Sequence, residues 1–195
     1  MNKERTVIIK YNAGNISSVY FALRRLGVEA EITGDPLSIK KAGKVIFPGV
    51  GEASSTMKYL KERGLDRLIP RLTQPVLGIC LGMHLMCRTS EEGNTKCIGI
   101  FDAGVNRFVT GKVPHTGWNS ITSLKGPLFE TTAEKSYFYF VHSYYVPVNN
   151  STVAVCDHDI KFAAAMQRNN FFATQFHPEK SGEAGEKVLK QFIEL

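Results

Sequence analysis

Pro75-Val76-Leu77-Gly78-Ile79-Cys80-Leu81-Gly82-Met83-His84 changes period in its middle, and that change decides the fold. Up to Ile79 the run is apolar and short, as in a buried strand, and from Leu81 the spacing of Leu81, His84, Leu85 and Met86 is helical. Cys80 therefore falls at a strand-to-helix turn. Gly78 and Gly82 stand two residues to either side, which is the G-x-C-x-G spacing of a nucleophile elbow with sulfur in place of the serine oxygen. The glycines let the backbone pack closely around a sharp turn and push the cysteine out above the end of a sheet. The start of the following helix supplies unpaired N–H groups and a partial positive charge, which favour a thiolate and can hold an oxyanion. A lone cysteine usually behaves as a small buried hydrophobe, so this assignment requires a base and a second oxyanion donor elsewhere.

Upstream, Thr6 to Tyr11 predicts a first strand, stopped by the turn formers Asn12-Ala13-Gly14-Asn15. Asn15 is an N-cap candidate for a helix carrying Ile16, Val19, Ala22, Leu23 and Leu26, closed by Gly27. A strand over 28–32, a short helical piece with Leu37 and Ile39, and a strand over 44–47 follow. Strand, helix, strand, helix, strand implies a parallel sheet with crossovers, whose sites gather beyond the carboxyl ends of the strands. Pro48-Gly49-Val50-Gly51 leaves one such end and Cys80 leaves the next. The Val50 or Gly51 N–H, with that of Leu81, are the candidate oxyanion donors. Met57, Leu60 and Leu65 suit helical packing.

The chain has 195 residues, the size of one domain with a sizeable core, and a single domain over 1–195 is expected. Its net charge of +6 is spread along the sequence, giving a basic surface rather than a nucleic-acid stripe. The charged start runs straight into an apolar strand, leaving no room for a secretory core, and no run approaches the ~18 apolar residues that cross a bilayer. The expected compartment is the cytoplasm, with no membrane or nucleic-acid partner. Cys80, Cys87, Cys97 and Cys156 have neither metal-site spacing nor close His partners, so no metal or cofactor is expected, and the last three are taken as structural thiols.

After the polar loop 90–94, short strands succeed one another: 97–101, a segment near 105–109, 117–122, 137–145, 153–156, 161–167 and 171–176. Asn169-Asn170 joins the last two as a hairpin turn. Mixed or antiparallel additions to the sheet are expected here. Residues 181–195 predict a final helix with Ser181 as N-cap.

Among five histidines, His158, between Asp157 and Asp159, reads as a loop residue, whereas His177 closes a strand and precedes Pro178, which restricts it to extended backbone. Glu179 lies two residues on, so both side chains point to one side of an extended chain. A carboxylate there can accept the imidazole N–H, fix the tautomer and stabilise the imidazolium. Cys80, His177 and Glu179 form the candidate triad. Its chemistry is acyl transfer through a thioester, which takes the residues alone as far as a cysteine amidohydrolase or acyl transferase.

Gly78-Ile79-Cys80-Leu81-Gly82, Pro48-Gly49-Val50-Gly51 and His177-Pro178-Glu179 together resemble the class I glutamine amidotransferases. Pro114-His115-Thr116-Gly117-Trp118-Asn119, Phe140-Val141-His142-Ser143-Tyr144-Tyr145 and Phe176-His177-Pro178-Glu179-Lys180-Ser181 narrow the resemblance to the glutaminase subunits of imidazole glycerol phosphate synthase. The resemblance implies a flavodoxin-like three-layer α/β fold, with a mostly parallel central sheet flanked by helices. It implies hydrolysis of glutamine, with ammonia passed to a (β/α)8 barrel synthase subunit as the partner in a heterodimer. It places the substrate glutamine near Gly51, His84, Ser143 and Tyr144, and Trp118, Tyr139 and Lys180 near the partner and the ammonia entrance. Lys10 and Asn12 depart from the usual residues of the first turn, and His84 stands where relatives carry Gln. An imidazole replaces only part of an amide contact, so weakened glutamine binding is expected. Two other readings stay open at this point: a glutaminase serving a different synthase, and a regulatory homologue without turnover.

Overall fold

The computed structural model describes residues 2–11 and 15–195, with side chains from residue 5 onward. Of the turn expected over 12–15, residues 12–14 lie outside the described residues, and with them the departure at Asn12. The elements run β1 (Asn2–Ile9), α1 (Ile16–Arg25), β2 (Ala30–Thr33), α2 (Pro36–Lys41), β3 (Ala42–Phe47), α3 (Ala53–Glu62), α4 (Leu65–Leu68), β4 (Val76–Ile79) and α5 (Leu81–Met86). There follow β5 (Thr89–Ser90), β6 (Thr95–Lys96), β7 (Gly104–Arg107), β8 (His115–Thr122), β9 (Tyr137–His142), β10 (Tyr144–Tyr145), β11 (Thr152–His158), β12 (Ile160–Arg168), β13 (Phe171–Thr174) and α6 (Gly182–Glu194).

A nine-stranded sheet has the order β2-β1-β3-β4-β13-β12-β11-β8-β9. Its first five strands pair in parallel, and β12, β11, β8 and β9 are added antiparallel, which is the parallel core with antiparallel additions expected of the carboxyl-terminal half. A small second sheet, β10-β7-β5-β6, carries the short strands. Alternation along the parallel strands makes two apolar layers. Val7, Ile9, Val45, Phe47 and Val76 pack with Met57, Leu60, Leu81 and Leu85 on one face. Ile8, Ile46 and Leu77 pack with Val19, Leu23, Val188, Leu189 and Phe192 on the other. Each such large side chain contributes ~1.5–3 kcal/mol when fully buried, so α1 and α6 are clamped to one face and α3 and α5 to the other.

The register positions the site. β4 lies between β3 and β13, with Phe47 opposite Gly78 and Thr174 opposite Ile79. The segments after β3, β4 and β13 therefore leave the same edge side by side. Three sequence expectations change. Residues 97–101 are not a strand, because the N–H groups of Ile98, Phe101 and Gly99 donate to the carbonyls of Leu85, Met86 and Cys87, closing the carboxyl end of α5. The strand expected over 137–145 breaks at Ser143, where the chain passes from the large sheet to the small one. His158 ends β11 and stacks on His115 with ring centroids 3.9 Å apart, so it is not a loop residue.

Candidate active site

Cys80 adopts φ 50 and ψ −103, a conformation L side chains rarely take and one that stores ~1–3 kcal/mol of strain. It is held on both sides: its N–H donates to the Thr174 carbonyl at 2.7 Å, and its own carbonyl accepts from His84 N–H at 3.1 Å. The turn is so tight that a Cβ on Gly82 would overlap the Phe47 carbonyl oxygen. Gly51, with φ 149, also uses a conformation that only glycine takes freely. The Tyr11 hydroxyl donates to the Pro48 carbonyl and anchors the segment leading to Val50 and Gly51. Burial, followed by the charge of Cys80, pushes that phenol up, so it stays protonated.

His177 follows β13. Its N–H donates to the Tyr139 carbonyl at 2.9 Å, and its carbonyl accepts from Ser181 Oγ at 2.6 Å. Its Nδ1 lies 2.8 Å from Glu179 Oε1, and both side chains are 1% exposed. A carboxylate only accepts, so the imidazole donates. The geometry differs from the extended pairing expected, because Pro178–Lys180 is a 3-10 turn that brings the carboxylate back beneath the ring. Nε2 is buried without a hydrogen-bond partner among the described residues, which leaves it for proton transfer. Burial opposes charge on this ring, but its contacts with Cys80 and Glu179 outweigh it and push the imidazole up to about 10.

Asn15 and Ser181 do not cap their helices through their side chains, as expected of them. Asn15 Nδ2 instead donates to Glu179 Oε1 at 2.9 Å, and Ser181 Oγ accepts from Tyr139 N–H at 3.0 Å while it donates to His177. Both polar side chains are engaged by the His177 segment.

Gly49, Val50, Gly51, Cys80, Leu81, His84, Glu92, Val141, His142, Ser143 and Tyr144 line a crevice of about 340 Å³. The expected oxyanion residues Val50, Gly51 and Leu81 and the expected substrate residues Gly51, His84, Ser143 and Tyr144 are thus brought to one opening. His177 and Glu179 are buried rather than lining it. Trp118, Tyr139 and Lys180 lie together away from it: the Trp118 and Tyr139 rings are 6.2 Å apart, and Lys180 Nζ is 5.9 Å from the Tyr139 ring. Trp118 is 56% exposed, and Tyr139 joins the cluster to His177.

Three groups receive no role from the motifs: Gln175, His115 and His142. Gln175 is fully buried between His84 and Cys80. Burial pushes His84 down to about 4, against the raising effect of Gln175. His142 Nδ1 lies 2.7 Å from the Tyr144 carbonyl, which only accepts, so Nδ1 carries the proton and Nε2 accepts from His115 Nδ1 at 3.0 Å. Both rings are held neutral, His142 well below its usual range by burial, and His115 at about 4 by burial and the neighbouring His158.

The model of the glutamine amidotransferase class I family matches residues 7–195. The chain belongs to the class I glutamine amidotransferases. This amidotransferase is 60% identical to imidazole glycerol phosphate synthase subunit HisH of Bacteroides fragilis strain YCH46, over 98% of its own length and 100% of that protein. It is 44% identical to the subunit of the same name from Vibrio parahaemolyticus, over the whole of both chains. Among solved structures, a glutamine amidotransferase crystal structure superposes with a TM-score of 0.76 at 18% identity, covering 96% of this chain and 97% of that one. PurLQS from Thermotoga maritima gives 0.76 at 17% identity, with 97% of each covered, and likewise shares the fold.

A larger groove of about 920 Å³, lined by Leu37, Lys40, Lys41, Arg67, Arg71 and Gln74 among others, precedes β3 and β4 at their amino ends. It has no nucleophile and no paired acid and base, so the chemistry of the amidotransferase belongs to the smaller crevice. Among the described residues, no cluster of three or more His, Cys, Asp or Glu is arranged to hold a metal. Nor is any helix among them long and apolar enough to cross a membrane.

Proposed function

We propose that the chain hydrolyses glutamine to glutamate and ammonia as the glutaminase subunit of an imidazole glycerol phosphate synthase, in histidine biosynthesis. The observation that carries the chemistry is the buried His177–Glu179 couple, set beside the Cys80 sulfur at a strained elbow. The full-length likeness to HisH subunits supports the pathway.

Cys80 Sγ attacks the carboxamide carbon of glutamine lying in the crevice. The oxyanion that forms is held by the Leu81 N–H and by the N–H of Val50 or Gly51, each worth about 2.7–4 kcal/mol of barrier in comparable sites. The imidazolium of His177 gives its Nε2 proton to the leaving nitrogen, ammonia departs, and the γ-glutamyl group remains on sulfur as a thioester. His177, now neutral, takes a proton from water, the hydroxide adds to the thioester, and glutamate leaves with the thiolate restored. Gly51, His84 and the backbone at Ser143 and Tyr144 grip the substrate. Their place around the opening supports this assignment.

The partner is a (β/α)8 synthase subunit in a heterodimer, docked over Trp118, Tyr139 and Lys180. The exposure of Trp118, and its link through Tyr139 to His177, support ammonia leaving on that side. The chain works as a single domain over 1–195 in the cytoplasm, where its four free cysteines stay reduced. Glutamate release, measured with and without the synthase subunit, tests the proposal. Turnover is expected in the complex and lost in Cys80→Ala, and turnover that survives Cys80→Ala overturns it.

A further inference from the structure

Gln175 stands one residue past β13, fully buried, with both ends of its amide engaged. One end lies 2.7 Å from His84 Nε2 and the other 3.7 Å from Cys80 Sγ. The orientation of the amide follows from what each neighbour can do. A thiolate only accepts, so the amide presents its NH2 to sulfur. That leaves its carbonyl for His84, and a carbonyl also only accepts, so His84 carries its proton on Nε2 and keeps Nδ1 as an acceptor. Burial holds His84 neutral, which makes this single tautomer stable at physiological pH.

We propose that Gln175 is a catalytic residue that donates a hydrogen bond to the Cys80 thiolate, and that His84 is the positioning residue that fixes its amide in that orientation. The inference rests on Cys80 being the nucleophile. A donor to the thiolate stabilises that form and aims Sγ, and because nucleophilicity falls with thiol pKa with a slope of only about 0.4–0.5, the net effect is gain as long as the thiol would otherwise titrate above the working pH. The other titratable groups around the sulfur are His177 with Glu179 after β13, Tyr11 after β1, His84 on α5 and His142 on β9. His177 supplies charge and the proton, and Tyr11 and His142 are already committed to the Pro48 and Tyr144 carbonyls. Gln175 is the uncharged side-chain donor that reaches sulfur among the described residues. His84 therefore acts on the sulfur through Gln175 with its Nε2, and only its Nδ1 is left for the substrate grip proposed above.

The test is the pH profile of Cys80 alkylation by iodoacetamide, read at the Cys80 peptide in the complex with the synthase subunit, beside steady-state glutaminase kinetics. Gln175→Met, close in volume but without the donor, is expected to move the alkylation midpoint up by about one pH unit and to lower kcat about tenfold, with KM for glutamine within about twofold. Gln175→Glu, which turns a carboxylate toward the thiolate, should move it further. His84→Leu should move it the same way by less, and His84→Gln, which restores an amide donor to the Gln175 carbonyl, should return it toward wild type. A folded Gln175→Met with wild-type midpoint and kcat overturns the inference. If that variant does not fold, an unmoved midpoint in Gln175→Glu does so. Turnover surviving Cys80→Ala would instead overturn the nucleophile assignment, so the two failures are distinguishable.

Discussion

Asn15 and Glu179 lie 164 positions apart in the chain and meet in a 2.9 Å hydrogen bond from Asn15 Nδ2 to Glu179 Oε1, the oxygen that also receives His177 Nδ1. Asn15 takes φ 66 at the start of α1, a left-handed conformation that asparagine tolerates better than most residues. The first turn of the parallel sheet thereby steadies the carboxylate delivered by the last. Two donors converging on one oxygen hold the Glu179 carboxylate in place.

Asn15→Ala removes one of them. A hydrogen bond to a charged buried group is worth ~1.5–3 kcal/mol, and Glu179 Oε2 has no partner among the described residues to take over. We expect kcat for glutamine hydrolysis to fall about tenfold with KM little changed. Steady-state glutamate release in the complex measures it, and an unchanged kcat would show that His177 alone holds the carboxylate.

Gly82→Ala tests the elbow. The added methyl overlaps the Phe47 carbonyl oxygen, and backbone on both sides cannot give way without disturbing β3 or α5. Overpacking of this kind costs ~1–3 kcal/mol, and a domain of this size melts ~2–4 °C lower for each kcal/mol. Calorimetry should show that loss together with a drop in activity. A variant that melts like wild type would mean that the close approach is readily relaxed.

Acidification should destabilise the fold well before its carboxylates titrate. His84 and His115 are held at about 4 and His142 well below its usual range, whereas all three titrate near 6.5 when unfolded. Between about pH 6.5 and 4 the unfolded chain binds protons that the folded one refuses. Stability then falls by up to ~1.4 kcal/mol per pH unit for each histidine. His177 has the opposite sign: with its pKa raised to about 10, its contribution is complete below about 6.5 and disappears as pH climbs through 10. Urea midpoints at pH 5, 7.5 and 10 should be highest in the middle, and equal midpoints at 5 and 7.5 would contradict the buried neutral histidines.

The parallel half of the sheet was legible because period and punctuation agree there. Gly27 closes α1, Pro48 and Gly49 end β3, and Gly78 and Gly82 bracket Cys80. Legibility failed where tertiary demand overrides local pattern. Residues 97–101 look like a strand until the carbonyls at the end of α5 claim their N–H groups. Asn15 and Ser181 look like caps until the His177 segment claims their side chains. Gln175 did carry a signal: it is a polar residue in the largely apolar run 171–176 that leads up to His177. What it donates to depends on β4 lying beside β13, which no local pattern encodes.

His142 links the histidine pair to substrate binding. Its protonated Nδ1 holds the Tyr144 carbonyl, its Nε2 is held by His115, and Ser143 and Tyr144 form one wall of the crevice just where the chain leaves β9 for β10. Without that donor the wall keeps its sequence but loses the tether that fixes its backbone. His142→Phe, which keeps the ring packed against Phe108 and Phe162, should raise KM for glutamine about tenfold while kcat stays within about threefold, since a lost hydrogen bond of ~1–1.5 kcal/mol converts to that factor. His142→Asn places an amide N–H close to the position of Nδ1 and should recover most of the affinity. Equal losses in both variants, or a loss confined to kcat, would mean that the ring acts on the triad rather than on the wall that holds the substrate.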